Sequence, residues 1–274
     1  MTNADRLFAY LKFLLAQLRG DFLVYKSYPL SIYFTFIGLI GQIIFLYLIG
    51  ELIGEEKWNE LTGGQLKYFE FAFSGLVFWN FTKGISGILP SNALNQYRSG
   101  RLIFVQLNPH GKLTGLIASM LFPTINQIIN IAILLTASHY FIGISFSGLF
   151  SLNFLYNICI IWLIFWGLGL ISSALVILLK RGDVIQPMLN YFATFISGIY
   201  FPIAMLPEPL QKIGLALPQT WAVLNLRSAL YETGNPALGK INLALIAVIF
   251  ISAGLFTFYS AINFQRKRGG LGHF

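Results

Sequence analysis

Residues 28–52 read YPLSIYFTFIGLIGQIIFLYLIGEL, and no charge occurs between Ser27 and Gly50. The ~30 Å hydrocarbon core of a bilayer takes about 20 apolar residues of helix, at 1.5 Å per residue. This stretch meets that length. Pro29 stands at its start, where a first-turn proline costs little. Five more stretches of the same kind follow, at Phe69–Leu89, Leu113–Ala137, Leu152–Leu179, Val184–Met205 and Ile241–Asn263. Charged residues are 10% of the chain and hydrophobic residues 56%, with a mean hydropathy of +0.71. A soluble domain carries about 25% charge, so these numbers exclude a soluble enzyme with one apolar helix. The pattern predicts an all-α polytopic membrane protein with six transmembrane helices, residues 1–274 forming one domain. The first stretch is too long for a signal-peptide core and lacks a small-residue cleavage pattern, so it is expected to remain as an anchor.

Charge sets the expected orientation. All seven glutamates fall in one set of connections, at Glu51, Glu55, Glu56, Glu60, Glu70, Glu208 and Glu232. The N-terminus, residues 90–112, residues 180–183 and the C-terminus instead carry twelve Lys or Arg against three Asp, a net of +9. The opposite connections carry five basic residues against the seven glutamates, a net of −2; Lys83, inside the second stretch, completes the chain's +8. Lys and Arg are retained on the cytoplasmic side, so both termini are expected in the cytoplasm of a cell-membrane protein. A basic balance of this origin points to anionic lipid headgroups. Without a basic stripe interleaved with aromatics, nucleic acid is not an expected partner.

Within 3–26, Leu7, Leu11, Leu14, Leu18 and Phe22 recur at helical spacing, which predicts an amphipathic helix in the cytoplasmic interface. Glu51 to Glu60 lack a histidine and a fixed ligand spacing, and read as a solvated face. Lys83 lies about two turns from the inner end of its stretch. It either reaches the cytoplasmic headgroups or lines a polar path. Residues 90–112, PSNALNQYRSGRLIFVQLNPHGK, form the longest cytoplasmic loop; Ser91 or Asn92 can cap a short helix there and Gly100 can end it. Its apolar Leu102, Phe104, Val105 and Leu107 face a polar compartment, which implies contact with the membrane or a protein partner. His139 reads as an interface residue and Cys159 as a small packing residue in the fourth span.

Residues 197–230, SGIYFPIAMLPEPLQKIGLALPQTWAVLNLRSAL, are too apolar for a free loop. Pro202, Pro207, Pro209 and Pro218 break them too often for one helix. Two short helices forming a re-entrant hairpin between the fifth and sixth spans are predicted, since irregular backbone at that depth must be buried or line a cavity. Residues 234–240, GNPALGK, imitate a phosphate loop. Ile241 stands where Ser or Thr should hold magnesium, and the charge rule puts the run outside, away from cytoplasmic ATP. No HExxH, CxxC pair, GxSxG or intramembrane carboxylate pair is present, so no catalytic, cofactor or metal residues are assigned.

The whole layout resembles the membrane subunit of a type-2 ABC exporter, the ABC-2-type permease family. Residues 98–109, RSGRLIFVQLNP, resemble that family's cytoplasmic coupling segment. The family's Ser-Gly, Phe-Pro, Leu-Pro, Pro-x-Thr and Leu-Arg signatures are matched by Ser197-Gly198, Phe201-Pro202, Leu206-Pro207, Pro218-Gln219-Thr220 and Leu226-Arg227. The tail RKRGGLGHF resembles the basic, Gly-Leu-containing end of many members. Where the family often has Thr and Glu after the coupling glycine, this chain has Arg101 and Ile103. That leaves the ATPase contact to Arg98 or Arg101, or to a different ATPase surface.

The resemblance implies a homodimer, or a heterodimer with a similar permease, on two separate cytoplasmic ATPase subunits that hold the ATP and Mg. It implies export of an amphipathic substrate: a lipid, a lipid-linked glycan or a hydrophobic drug. ATPase coupling would fall to Arg98, Gly100, Arg101, Leu102, Phe104, Leu107 and Pro109, and an outer gate to the matched residues from Ser197 to Arg227. Two other classes stay open: an ion-coupled secondary transporter, and a membrane-embedded transferase for which the outer glutamates are the one candidate cluster.

Overall fold

The computed structural model describes residues 3–62, 66–98, 112–179, 185–232 and 237–267. Ten α-helices and no strand occur among the described residues. They are α1 (Asn3–Lys26), α2 (Pro29–Ile53), α3 (Glu55–Thr62), α4 (Tyr68–Arg98), α5 (Lys112–Ile142), α6 (Leu152–Leu179), α7 (Ile185–Ile196), α8 (Glu208–Ala216), α9 (Pro218–Tyr231) and α10 (Lys240–Lys267). Four of them, α2, α5 from Ala118, α6 and α10, are long and apolar enough to cross a bilayer. The chain therefore has the character of a helical membrane protein. Much of the outer surface is apolar, with Ile37, Phe45, Ile128, Leu155, Val248 and Phe256 exposed on these four helices. A surface of that kind suits lipid rather than water.

Helix α4 is the exception that organises the bundle. With Glu70, Asn80, Thr82 and Lys83 in its sequence it is not among the four apolar spans. Yet Ala72, Phe73, Val77, Phe78, Phe81 and Ile85 are almost wholly buried. Helices α2, α5, α6 and α7 surround it. Asn80 Nδ2 donates to Gln42 Oε1 of α2 at 2.9 Å, and the rings of Phe78 and Phe165 of α6 meet edge to face at 5.6 Å. A helix covered by protein on most sides can carry hydroxyls and amides that lipid would exclude, provided they are hydrogen-bonded.

Pro90 does not end α4, contrary to the expected boundary at Leu89–Pro90. The helix continues to Arg98, so neither Ser91 nor Asn92 caps a new one. Proline removes one N–H and crowds the carbonyl of residue 86. The turns around it are nonetheless held: Leu89, Pro90, Ala93 and Leu94 are buried, and Gly169 of α6 lies against the carbonyls of Ile85 and Ser86. Packing overrides the local penalty here, as it does in membrane helices where neighbours support the freed backbone. Similarly, α5 runs through Pro123 and extends past the expected Ala137 to Ile142.

The largest helix interface joins α6 to α10, which run parallel. Tyr156 donates to the Lys240 carbonyl at 2.6 Å near one end, and Gln265 Nε2 to the Ile177 carbonyl at 2.9 Å near the other. Two glycines set the separation between them. A Cβ on Gly167 would lie 2.5 Å from the Phe250 carbonyl, and one on Gly254 would lie 2.6 Å from the Gly167 carbonyl oxygen. With little hydrophobic drive between helices in lipid, such close backbone approach supplies the packing. Helix α1 packs on the start of α5, with the rings of Phe22 and Tyr25 against Phe122 at 6.5 and 5.4 Å. Cys159 is exposed on α6 rather than packed inside, so the small side chain fills no gap in the core.

Overpacking a tight helix contact costs about 1–3 kcal/mol. Gly167→Val and Gly254→Val are each expected to lower the thermal stability of the detergent-purified chain by that amount. Gly41→Ala places a methyl where nothing lies within 4 Å and is expected to leave the melting curve unchanged. Equal melting of all three variants would refute the role given to this interface.

Candidate functional site

Helix α7 stops at Ile196 although the apolar sequence continues. Its 12 described residues rise about 18 Å. The expected span Val184–Met205 is thus not one helix. The reason is local. Ser197 N closes the last helical bond, to the Ala193 carbonyl at 3.0 Å, and Gly198 turns to φ +78°. A glycine takes that left-handed conformation after a helix without a Cβ penalty. Pro202 then leads into a 3₁₀ turn over Ile203–Met205, Pro207 caps α8, and Pro218 sits in the first turn of α9. Helices α8 and α9 follow each other directly, with the bend at Leu217.

Each break frees carbonyl oxygens from helical partners, and a buried one left unpaired costs about 1–3 kcal/mol. Side chains supply the missing donors. Gln211 Nε2 donates to the Leu206 carbonyl at 2.7 Å, the Thr220 hydroxyl to the Gly214 carbonyl, and Trp221 Nε1 to the Leu215 carbonyl at 2.9 Å. The first turn of α9 thereby caps the last turn of α8.

Arg227 closes the network. Its guanidinium is buried, with 5% of the residue exposed. Nε donates to Ser74 Oγ at 2.9 Å, and Nη2 faces the carbonyls of Phe71, Gly198 and Ile199 at 3.2, 3.3 and 3.4 Å. Cζ stands 3.5 Å above the centre of the Phe71 ring. No carboxylate pairs with it: the ion pair found among the described residues is the exposed Lys67–Glu55, at 2.6 Å. A buried charge normally needs an opposite charge. Here the substitutes are the carbonyls just beyond the C-terminus of α7, the negative end of its dipole, and an aromatic face. Arg227 therefore ties three pieces together: α9, α4 and the break after α7.

Carbonyl oxygens also sit directly on glycines. The Ile199 carbonyl occupies the place a Cβ of Gly75 would take on α4. The Ile196 carbonyl does the same at Gly214, and the Ala229 carbonyl at Gly148, whose N–H donates to the Leu230 carbonyl at 3.0 Å. Of the predicted hairpin residues, Ser197, Gly198, Phe201, Pro202, Leu206, Pro207, Pro218, Thr220 and Arg227 all belong to this one unit. Ser197, Gly198, Thr220 and Arg227 are buried; Phe201 and Pro207 are exposed. Sequence reasoning missed the α4 half of the contact, Phe71, Ser74 and Gly75. The available signal was the small Ser-Gly pair inside the aromatic run Phe69–Phe78.

The glutamates gather at the same end. Glu51, Glu55 and Glu70 line a cavity of about 400 Å³ with Tyr47, Lys67 and Ile144. Glu55 accepts from Lys67 and holds its ammonium above the usual lysine range. Tyr231 donates to the Glu70 carbonyl at 3.0 Å, which brings the end of α9 to this rim. His139 Nδ1 bonds the Ile144 carbonyl at 2.7 Å, a local turn contact. Trp58 of α3 is buried and donates to the Leu66 carbonyl at 2.7 Å; Glu51, Glu55, Glu56 and Glu60 are exposed around this aromatic anchor, as the solvated-face reading expects.

Because α4 continues past Pro90, Lys83 lies at its midpoint, farther from the helix end than the expected two turns. It is exposed. The predicted coupling residues Gly100, Arg101, Leu102, Phe104, Leu107 and Pro109 lie outside the described residues, and Arg98 is the last residue of α4. Compared with protein-family models and with curated proteins, the chain matches none.

Arg227→Met removes five donors from a site with four oxygen acceptors. It is expected to destabilise the hairpin by about 1–3 kcal/mol, through carbonyls left unpaired. Hydrogen exchange measured by mass spectrometry should then accelerate across 197–206 while α6 and α10 keep their protection. Unchanged exchange across 197–206 would show that Arg227 does not hold the break.

Proposed function

We propose that the chain is the membrane-spanning subunit of an ATP-driven exporter of the type-2 ABC kind, energised by two separate ATPase subunits and acting as a pair of permeases. In this reading the glutamate-bearing end faces outward, and the end with α1, Arg98 and the termini faces the cytoplasm of a cell-membrane protein. Six passes follow if α4 and the α7–hairpin segment cross beside the four apolar helices, with α8 and α9 re-entering from outside. The cargo is amphipathic: a lipid, a lipid-linked glycan or a hydrophobic drug.

One observation carries the reading. Helix α4 runs unbroken from the Arg227 contact at Phe71 and Ser74 to Arg98, where the coupling segment begins. A displacement of that segment by an ATPase would be delivered along a single rod to the hairpin at the other end. ATP closure would then bias a two-state membrane element through contacts made in one state and not the other. The charge asymmetry and the matched hairpin signatures support the same assignment.

The test is biochemical. The chain purified from its native membrane is expected to bring with it, in stoichiometric amount, a soluble subunit that hydrolyses ATP. Leu102→Asp should abolish that association and transport while the permease still inserts. Normal transport by a well-inserted Leu102→Asp protein would remove the coupling role, and intact transport without any ATPase would sink the exporter reading.

A further inference from the structure

Among the described residues Lys83 has no counter-charge. It makes no hydrogen bond or ion pair with a described residue. Among the described residues a second copy of the chain does not supply one from mid-span either, because the nine acids there lie in connections, in α1 or in the turns next to helix ends. The nearest acid on α4 is Glu70, about 20 Å away along the helix. An ammonium at this depth faces either a water-filled path or an anion brought from outside the chain.

The surroundings favour the anion. Gln127 of α5 lies across Gly84, next to Lys83, and its Oε1 is buried without a donor. On the other flank Asn190 of α7 donates to Ser86 Oγ at 3.4 Å, and the rings of Trp79 and Tyr191 meet at 5.6 Å. Lys83, Gln127 and this aromatic pair thus offer a cation, an amide donor and an apolar wall. From Lys83 a strip runs one residue per turn through Gly87, Ser91 and Asn95 toward Arg98. Lys83, Ser91 and Asn95 are exposed, and nothing lies within 4 Å of a Cβ on Gly87. Side chains four apart share a face, so the strip is a continuous small, polar lane on a bundle otherwise clad in hydrocarbon.

We infer that Lys83 and Gln127 form a binding site for the phosphoryl group of an anionic amphiphile, entered along the lane from the Arg98 end. Calling that amphiphile the cargo rests on the exporter reading; the binding itself does not. Lys83 supplies charge-assisted hydrogen bonds to phosphoryl oxygens, the amide Nε2 of Gln127 is a further donor for them, and Trp79 with Tyr191 flanks the apolar part.

The experiment uses the purified full-length chain in maltoside micelles, titrated with phosphatidic acid or phosphatidylcholine and read by native mass spectrometry. Phosphatidic acid is expected to bind at least about tenfold tighter than phosphatidylcholine, the scale of a charged hydrogen bond. Lys83→Met should bring the two lipids within about twofold, Lys83→Arg should keep the preference, and Lys12→Gln on α1 should not alter it. A preference that survives Lys83→Met, or that falls equally with Lys12→Gln, overturns the site. Inorganic pyrophosphate at constant ionic strength separates the sources on the unaltered chain and decides the matter if Lys83→Met fails to fold. Displacement of phosphatidic acid by pyrophosphate supports a phosphoryl site reached from water; no displacement would mean ordinary boundary lipid and overturn it. Loss of the preference with an ATPase still co-purifying would sink this site alone, whereas a missing ATPase with the preference intact would sink the exporter reading alone.

Discussion

A peptide group that leaves a helix inside an apolar bundle must still find a partner there. In this chain that demand is concentrated between Ser197 and Pro218, where a glycine in the left-handed region and four prolines prevent any single helix. Arg227 answers the largest part of it. One guanidinium reaches two carbonyls in the break, and a carbonyl and a hydroxyl of α4. The position of α9, the end of α7 and the course of α4 are consequently set together. Thr220, Trp221 and Gln211 repeat the solution on a smaller scale within the hairpin. The proline-rich segment is thus as fully determined as the helices around it, though by side-chain donors in place of a regular ladder.

Helix α4 shows how burial relaxes the composition of a membrane helix. Hydropathy measures the fitness of a segment for lipid. It does not measure fitness for the centre of a bundle, where Asn80 finds Gln42 and Thr82 bonds the carbonyl of Phe78. The polar content that sets α4 apart from the four apolar spans is also what lets it present the Ser74 hydroxyl to Arg227 at one level and Lys83 at another.

The long apolar stretches were legible because length and apolarity alone decide them, and Pro29 marked the start of α2 correctly. The prolines and Ser197-Gly198 identified the broken segment, and every residue singled out there falls in one structural unit. What escaped the sequence was of two kinds. A helix end went astray where tertiary packing outweighs a local breaker, as at Pro90. The apolar run 184–205 read as one span because apolarity is blind to a change of backbone direction, and only Gly198 at positive φ reveals the turn. Partners distant in the chain were also invisible: nothing near Arg227 points to Ser74, and nothing in Glu55–Glu60 points to Trp58 as a buried anchor. Cys159 failed for the simpler reason that an apolar helix has no polar side to tell the lipid face from the protein face.

The seats at Gly75, Gly148 and Gly214 have a mechanical meaning. At each, a carbonyl oxygen rests on bare backbone, so the closest point of the contact carries no Cβ. Interlocked side chains must change rotamer before two parts can separate, and that makes their motion stiff. Smooth backbone contacts slide or part with almost no such friction. Resistance to lifting α9 is then shared between its buried Val223, Leu226 and Leu230 and the acceptors of Arg227, which acts as a catch on a close-running bearing.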